Sequence, residues 1–471
     1  MKAQTASPLR GLLIVGLGTL VVPLDSAVNI DFPAIVARFS LPIPMIQWIV
    51  IAYVLTQTSL MLTFGRIGDI LGYRRIFLIG TGFSALAFCA CALAPTYPAL
   101  IAARVAQGIG AGLILSCGPA LATSLFPEDQ RAQVLGRYMA MFGIGSALGP
   151  SVFGTLVDLW GWSAVFSVRA PLAATAFLLA WTLPKAPRSA MREPFDAQGG
   201  ILLAVALAFL LLAMNRLRAS LPEAALCALV AGIGFDLFYR REMRFPRPII
   251  DFTYFRTPGF TLINTANALA NLAAFSIMLL APFFLARVPG LSLPQAGFVL
   301  ASSPFAMIFA APLAGRLSQG VSPRVIAIAG NALSAVGLFG IALASGGYGL
   351  SWLAAAMAVQ GFGMGLFQVA YFEIVTGAIP PRNRGVAGSL GMATRTIGTV
   401  TGATMLMLLF QTLRATGVGV SADGFGGAFQ ATFAIAGAIP AILAVVQVLS
   451  GPRISLSRRH QPSPSRPGSS S

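Results

Sequence analysis

The sequence predicts an all-α polytopic membrane protein. Three observations predict it. Apolar runs long enough to cross a bilayer recur along all 471 residues. Hydrophobic residues make up 56% of the chain and charged residues 10%, with a mean hydropathy of +0.81. Lys and Arg collect in alternate short gaps between the runs.

Taken in order, the runs place spans at 11–33, 46–64, 75–95, 98–118, 134–157, 162–183, 199–214, 222–239, 259–286, 293–314, 324–344, 348–373, 385–411 and 427–450, about fourteen in all. The first follows Lys2 and Arg10 as a signal peptide would. It is long, carries Asp25 and lacks a small-residue cleavage site, so it reads as a retained span. Of 31 basic residues, 23 lie in the terminal segments and alternate gaps (2–10, 66–75, 131–137, 185–192, 240–256, 316–324, 382–384, 453–466). The opposite gaps hold five: Arg38, Arg216, Arg218, Arg287 and Arg414. The positive-inside rule makes the crowded side cytoplasmic and puts both termini there, in a cell membrane. The net charge of +17 therefore reports topology, and no nucleic-acid partner is expected. The tail 452–471 reads as disordered.

The chain also repeats itself. GRIGDILGYRRIFLIG (65–80) aligns without gaps on GRLSQGVSPRVIAIAG (315–330). AQGIGAGL (106–113) aligns on VQGFGMGL (359–366), and 127–149 aligns on 380–402, both at an offset of 253. Three matches in one order at nearly one offset predict two six-helix bundles, 1–190 and 258–451, separated by two inserted helices within 191–257. Duplicated bundles suit alternating access, with a binding site between them at the midplane.

Chemistry concentrates in a few polar side chains. Asp25 lies about 21 Å into span 1, and Arg104 about 9 Å from the opposite face in span 4, at 1.5 Å per residue. In a core of about 30 Å they share a depth. A lone charge there is costly, so an Asp25–Arg104 pair is expected, direct or bridged by Gln107 or water. Such a carboxylate could couple a proton to transport, or form a static pair that fixes packing. The repeat counterpart of Arg104 is Met357, so proton chemistry is expected in the first bundle. Asn29 shares the face of Asp25. Asp31 is either an interfacial carboxylate or a second acid drawing cations to the vestibule. Asn264, Asn267 and Asn271 form one helix face, which lines a cavity or bonds between helices. Glu373 lies near the inner end of span 12, where it snorkels or meets a cationic substrate. Gly145, Gly149 and Pro150 allow close approach and a bend in span 5. Asp69, in a loop bounded by glycines, caps the next helix or pairs with Arg131 or Arg137. Arg169 and Arg395 also fall within spans and need partners that the sequence does not name. The four cysteines read as packing residues. The only histidine, His460, lies in the tail, and no nucleophile–base set or metal cluster is apparent. The chain is expected to be no enzyme, to use no cofactor or metal, and to act as a monomer.

Several of these segments resemble known motifs. GRIGDILGYRR resembles the signature loop of the major facilitator superfamily, and RVAQGIGAG its Arg-Gln-Gly motif. GIGSALGPSVFG resembles the motif of its antiporters, and LDSAVNIDFPAI the first-span signature of the fourteen-span drug:proton antiporters, the EmrB/QacA family. Ile70 and Tyr73 depart from positions often basic in the loop motif, and Asp31 stands where the signature has a small apolar residue. The resemblance implies the major facilitator fold and proton-driven multidrug efflux of small amphiphilic or cationic compounds, as in antibiotic resistance. It implies a cytoplasmic gate built on Gly65, Asp69, Gly72, Arg74 and Arg75, beside the coupling expected of Asp25 and Arg104 from their shared depth. It also implies a seal against leak at Gly145, Gly149 and Pro150. The rivals are a transporter of one metabolite, in either direction, and a transport-inactive sensor.

Overall fold

The computed structural model describes residues 8–29, 32–41, 45, 47–184, 195–217, 220–246, 248–291, 293–344, 349–380, 383–416 and 425–450. Among these residues the regular structure is helical: α1 (Pro8–Leu20), α2 (Phe32–Phe39), α3 (Gln47–Leu71), α4 (Tyr73–Ala92), α5 (Tyr97–Ser124), α6 (Arg131–Trp160), α7 (Ala164–Ser167), α8 (Arg169–Ala180), α9 (Ala197–Arg216), α10 (Leu221–Glu242), α11 (Pro258–Leu285), α12 (Leu293–Leu317), α13 (Pro323–Leu343), α14 (Gly349–Ala378), α15 (Arg384–Ala415) and α16 (Phe425–Leu449). Twelve candidate spans among the described residues are long and apolar enough to cross a membrane. Beyond these twelve, α6 runs for 30 residues, and an apolar helical stretch covers Ala164–Ala180.

The first span is not one α-helix. Pro23 has no N–H to continue the ladder, and α1 ends at Leu20. The chain tightens into a 3-10 helix over Pro23–Asn29, with the Val22 N–H on the Thr19 carbonyl at 3.1 Å and the Asp25 N–H on that of Val22 at 3.0 Å. Asp25 therefore sits on an interrupted segment rather than on a smooth helical face.

The packing follows the sequence repeat. α3 and α4 lie along α5, while α1 touches α5, α6 and α8. Later in the chain, α12 and α13 lie along α14, while α11 touches α14, α15 and α16. Between the two sets, α6 packs on α12, and α3 and α5 pack on α15. The glycines shared by the repeat explain the closest crossings. A Cβ on Gly145 would lie 2.6 Å from the Leu20 carbonyl oxygen, and one on Gly149 would strike Ser26. Their counterparts Gly398 and Gly402 face the Ala268 and Leu272 carbonyls of α11 in the same way. Close helix approach accounts for these glycines in both repeats. Pro150 lies within α6 and has no counterpart, since Ala403 occupies that place.

α9 and α10 pack on each other, and α9 lies against both α3 and α15. Thr63 of α3 donates to the Gly200 carbonyl near one end of α9, and Thr404 of α15 donates to the Met214 carbonyl near the other.

Candidate functional site

Asp25 is the centre of a buried polar cluster. Its Oδ1 accepts from Arg104 Nη1 at 2.7 Å, Gln107 Nε2 at 2.8 Å and Arg169 Nη2 at 2.9 Å. Its Oδ2 accepts from Arg104 Nη2 at 2.8 Å, so the Arg104 pair is bidentate. Arg104 also donates from Nε to the Ile49 carbonyl and from Nη1 to Gln107 Oε1. Aromatic faces cover both cations: Arg104 lies 4.5 Å from the Tyr53 ring centroid, and Arg169 lies 4.4 Å from that of Phe88. Both arginines are fully buried, whereas the Asp25 side chain keeps 11% of its surface.

The direct Asp25–Arg104 contact and the place of Gln107 are as the depth comparison expects. Arg169 is the member that sequence reasoning left without a partner. A signal was present: Arg169 is seven residues into span 162–183, about 10 Å from the same face as Arg104. The charge balance follows. Two guanidiniums share one carboxylate, and Nε and Nη1 of Arg169 are buried without hydrogen-bond partners. Asn29 is the last residue of the 3-10 helix. Asp31 lies outside the described residues.

The asparagine face of α11 makes a second network. Asn264 accepts from the Tyr371 hydroxyl at 2.8 Å. Asn267 donates to the Gly391 carbonyl and Thr394 Oγ1, and accepts from Gln368 and Asn271. All three asparagines are buried. Of the two readings the sequence left open, interhelical hydrogen bonding describes them in this conformation. Gln368, Tyr371 and Thr394, which sequence reasoning did not single out, complete the network.

The end carrying the basic loops is closed by contacts between the repeats. Asp69, in the last turn of α3, accepts from the Gly385 and Val386 backbone N–H groups at 2.7 and 3.2 Å. These are orphan donors of the first turn of α15. Asp69 thus caps a helix of the other repeat, rather than α4 or the side chains of Arg131 and Arg137. Tyr73 holds its Oδ1 at 2.8 Å. Arg66 donates to Asn383, and Gly65 admits Gly385 and Ser389 at the crossing. Glu128 joins the same closure, 2.5 Å from Arg384 and 3.5 Å from Arg131. Gly72 takes a φ of 92°, which lets the chain turn between α3 and α4. Arg74 donates to the Trp181 carbonyl, within the first repeat, and Arg75 is exposed. Glu373 lies five residues before the end of α14 at this same end, with its Oε2 buried and without a hydrogen-bond partner.

A repeated helical fold with a buried charge cluster, closed at one end by contacts between the repeats, fits a secondary transporter. The chain belongs to the Major Facilitator Superfamily, whose family model matches residues 15–403 and 263–469. It is 29% identical to the riboflavin transporter RibZ of Clostridioides difficile (strain 630) over 401 residues, 85% of this chain and 87% of that protein. It is 32% identical to the methylenomycin A resistance protein of Streptomyces coelicolor over 408 residues, 84% of each. Among solved structures, the human organic anion transporter MFSD10 (TETRAN) superposes with a TM-score of 0.66 at 15% identity, covering 94% of this chain and all of that one, which shows the shared fold.

Proposed function

We propose that the chain is a proton-coupled antiporter that exports small amphiphilic organic compounds by alternating access. In this reading it has fourteen spans, the twelve candidates together with α6 and Ala164–Ala180. Residues 1–190 and 258–451 form the two bundles, 191–257 the inserted pair, and both termini face the cytoplasm. The drug-export assignment draws on relatives named for resistance to methylenomycin A and export of tetracenomycin C.

One observation carries the mechanism: a mid-depth carboxylate held by two buried guanidiniums. With Asp25 ionised, the cluster has one net positive charge. Protonation would leave two guanidiniums without their counter-charge in an apolar interior. A proton is accommodated as Asp25 releases an arginine, which ties proton binding to movement of the Pro23–Asn29 segment against α5 and α8. Outward-open, Asp25 takes a proton and substrate leaves. Inward-open, the proton leaves and substrate enters. Asp69 on α15 latches the cytoplasmic end, and the α11 amides tie α11 to α14 and α15.

The test is efflux of fluorescent amphiphiles from cells expressing wild type or Asp25→Asn, with and without a protonophore. Wild-type efflux that stops with the protonophore and in the variant is the expected result. Full proton-driven efflux by Asp25→Asn would end the coupling assignment. A second reading, a carrier of one metabolite, is favoured by the relative named as a riboflavin transporter. A single transported compound within a broad panel would select it.

A further inference from the structure

We infer that the transported compounds bear an anionic group, in the simplest case a carboxylate, and that Arg395 receives it. The inference rests on the transporter reading above and names the substrate class for it. Arg395 lies eleven residues beyond Arg384 in α15, about 16 Å along the helix, at mid-depth. Its guanidinium sits 4.1 Å from the ring centroid of Phe142 in α6. Phe142 and Arg395 are separated by 253 residues, the offset of the internal repeat, and fall opposite one another in the 127–149 and 380–402 alignment. Residues that are each other's repeat counterparts can touch only near the axis relating the repeats. That axis passes through the place where a duplicated transporter holds its cargo.

The local chemistry is that of an incomplete anion site. Arg395 is partly accessible, yet its Nη1 is buried and has no hydrogen-bond partner. Among the described residues no carboxylate forms an ion pair with it. Asp25 is the mid-depth acid, and Arg104 and Arg169 occupy it. Phe142 takes one face of the guanidinium, and the unpartnered Nη1 lies on the edge that would match a carboxylate in a two-point contact. An arginine held in a membrane interior usually marks a substrate or ion path. The resemblance implies amphiphilic or cationic cargo. At this depth the unmatched charge is positive, so a cation would meet repulsion.

Three probes of one shape test this: pyrenebutyrate, pyrenebutanol and pyrenebutylamine, bound to the purified full chain in lipid nanodiscs and followed by pyrene fluorescence. Wild type should bind the acid roughly tenfold more tightly than the alcohol, with the amine weakest. Arg395→Gln should bind acid and alcohol alike. Arg395→Lys, which keeps the charge without the fork, should retain part of the preference, and it decides the matter if the Gln variant does not elute as a folded protein. An amine bound as well as the acid, or an Arg395→Gln variant that still prefers the acid, would overturn the inference. Proteoliposomes with an imposed pH gradient separate it from the exporter reading. Acid-selective binding without proton-driven movement keeps the anion site and removes the exporter. Proton-driven movement of the amine, indifferent to Arg395→Gln, does the reverse.

Discussion

Replacing Asp69 with Ala should open the basic end of the molecule. The carboxylate accepts two backbone N–H groups from the first turn of α15, at 2.7 and 3.2 Å, and no other contact described for those donors replaces it. Losing a helix cap costs about 0.5–2 kcal/mol, and losing an anion at the helix N-terminus about 0.3–1 kcal/mol more. Because α3 and α15 belong to different repeats, this energy is present only while the end is closed. A combined loss of about 1–3 kcal/mol shifts the closed-to-open ratio by roughly 5- to 150-fold. Double electron–electron resonance reads the shift directly. Labels at Arg75 and Val321, both exposed at the basic end, are introduced after the four native cysteines are replaced. Asp69→Ala should move weight to longer distances. Tyr73→Phe, which removes a bond made within the first repeat, should move it far less. An unchanged distance distribution in a well-folded Asp69→Ala protein would refute the latch.

Two further changes probe packing. Gly145→Val forces its Cβ toward the Leu20 carbonyl at 2.6 Å and Pro23 Cγ at 2.7 Å, so thermal unfolding should show a loss of about 1–3 kcal/mol from overpacking. A melting temperature equal to wild type would contradict that close approach. Asn267→Leu strips partners from Gln368, Asn271, Thr394 and the Gly391 carbonyl, and each buried group left unpaired costs about 1–3 kcal/mol. The variant should melt well below wild type, whereas transport lost at an unchanged melting temperature would mean the amide serves substrate rather than packing.

Depth was legible in the sequence, and direction around each helix was not. Counting residues from each span end sets a side chain's height in the bilayer. That sufficed to bring Asp25 and Arg104 together across 79 residues. Azimuth depends on which helices become neighbours, a tertiary fact. Hence Arg169 stayed without a partner, and Asp69 was matched to nearby candidates rather than to Gly385, 316 residues on. The asparagine face was found from its spacing, but its bonding to α14 and α15 was one of two readings until the neighbours were known. The repeat carried further, because it fixes which contacts must recur, as the paired glycines of α6 and α15 do. The break at Pro23 was missed for a different reason. An apolar run signals burial, and the run stays apolar through the proline although the hydrogen-bond ladder cannot.

The ion cluster also sets a timetable for biosynthesis. Arg104 is made 79 residues after Asp25, and Arg169 144 residues after it. At about 5–20 residues per second, the last of these waits lasts roughly 7–30 s. Throughout it the nascent first span holds an acid whose final partners do not yet exist. The interrupted segment around Pro23 must therefore be sheltered by water, lipid headgroups or the insertion machinery until α8 arrives. The cluster is completed late, by the docking of Arg169.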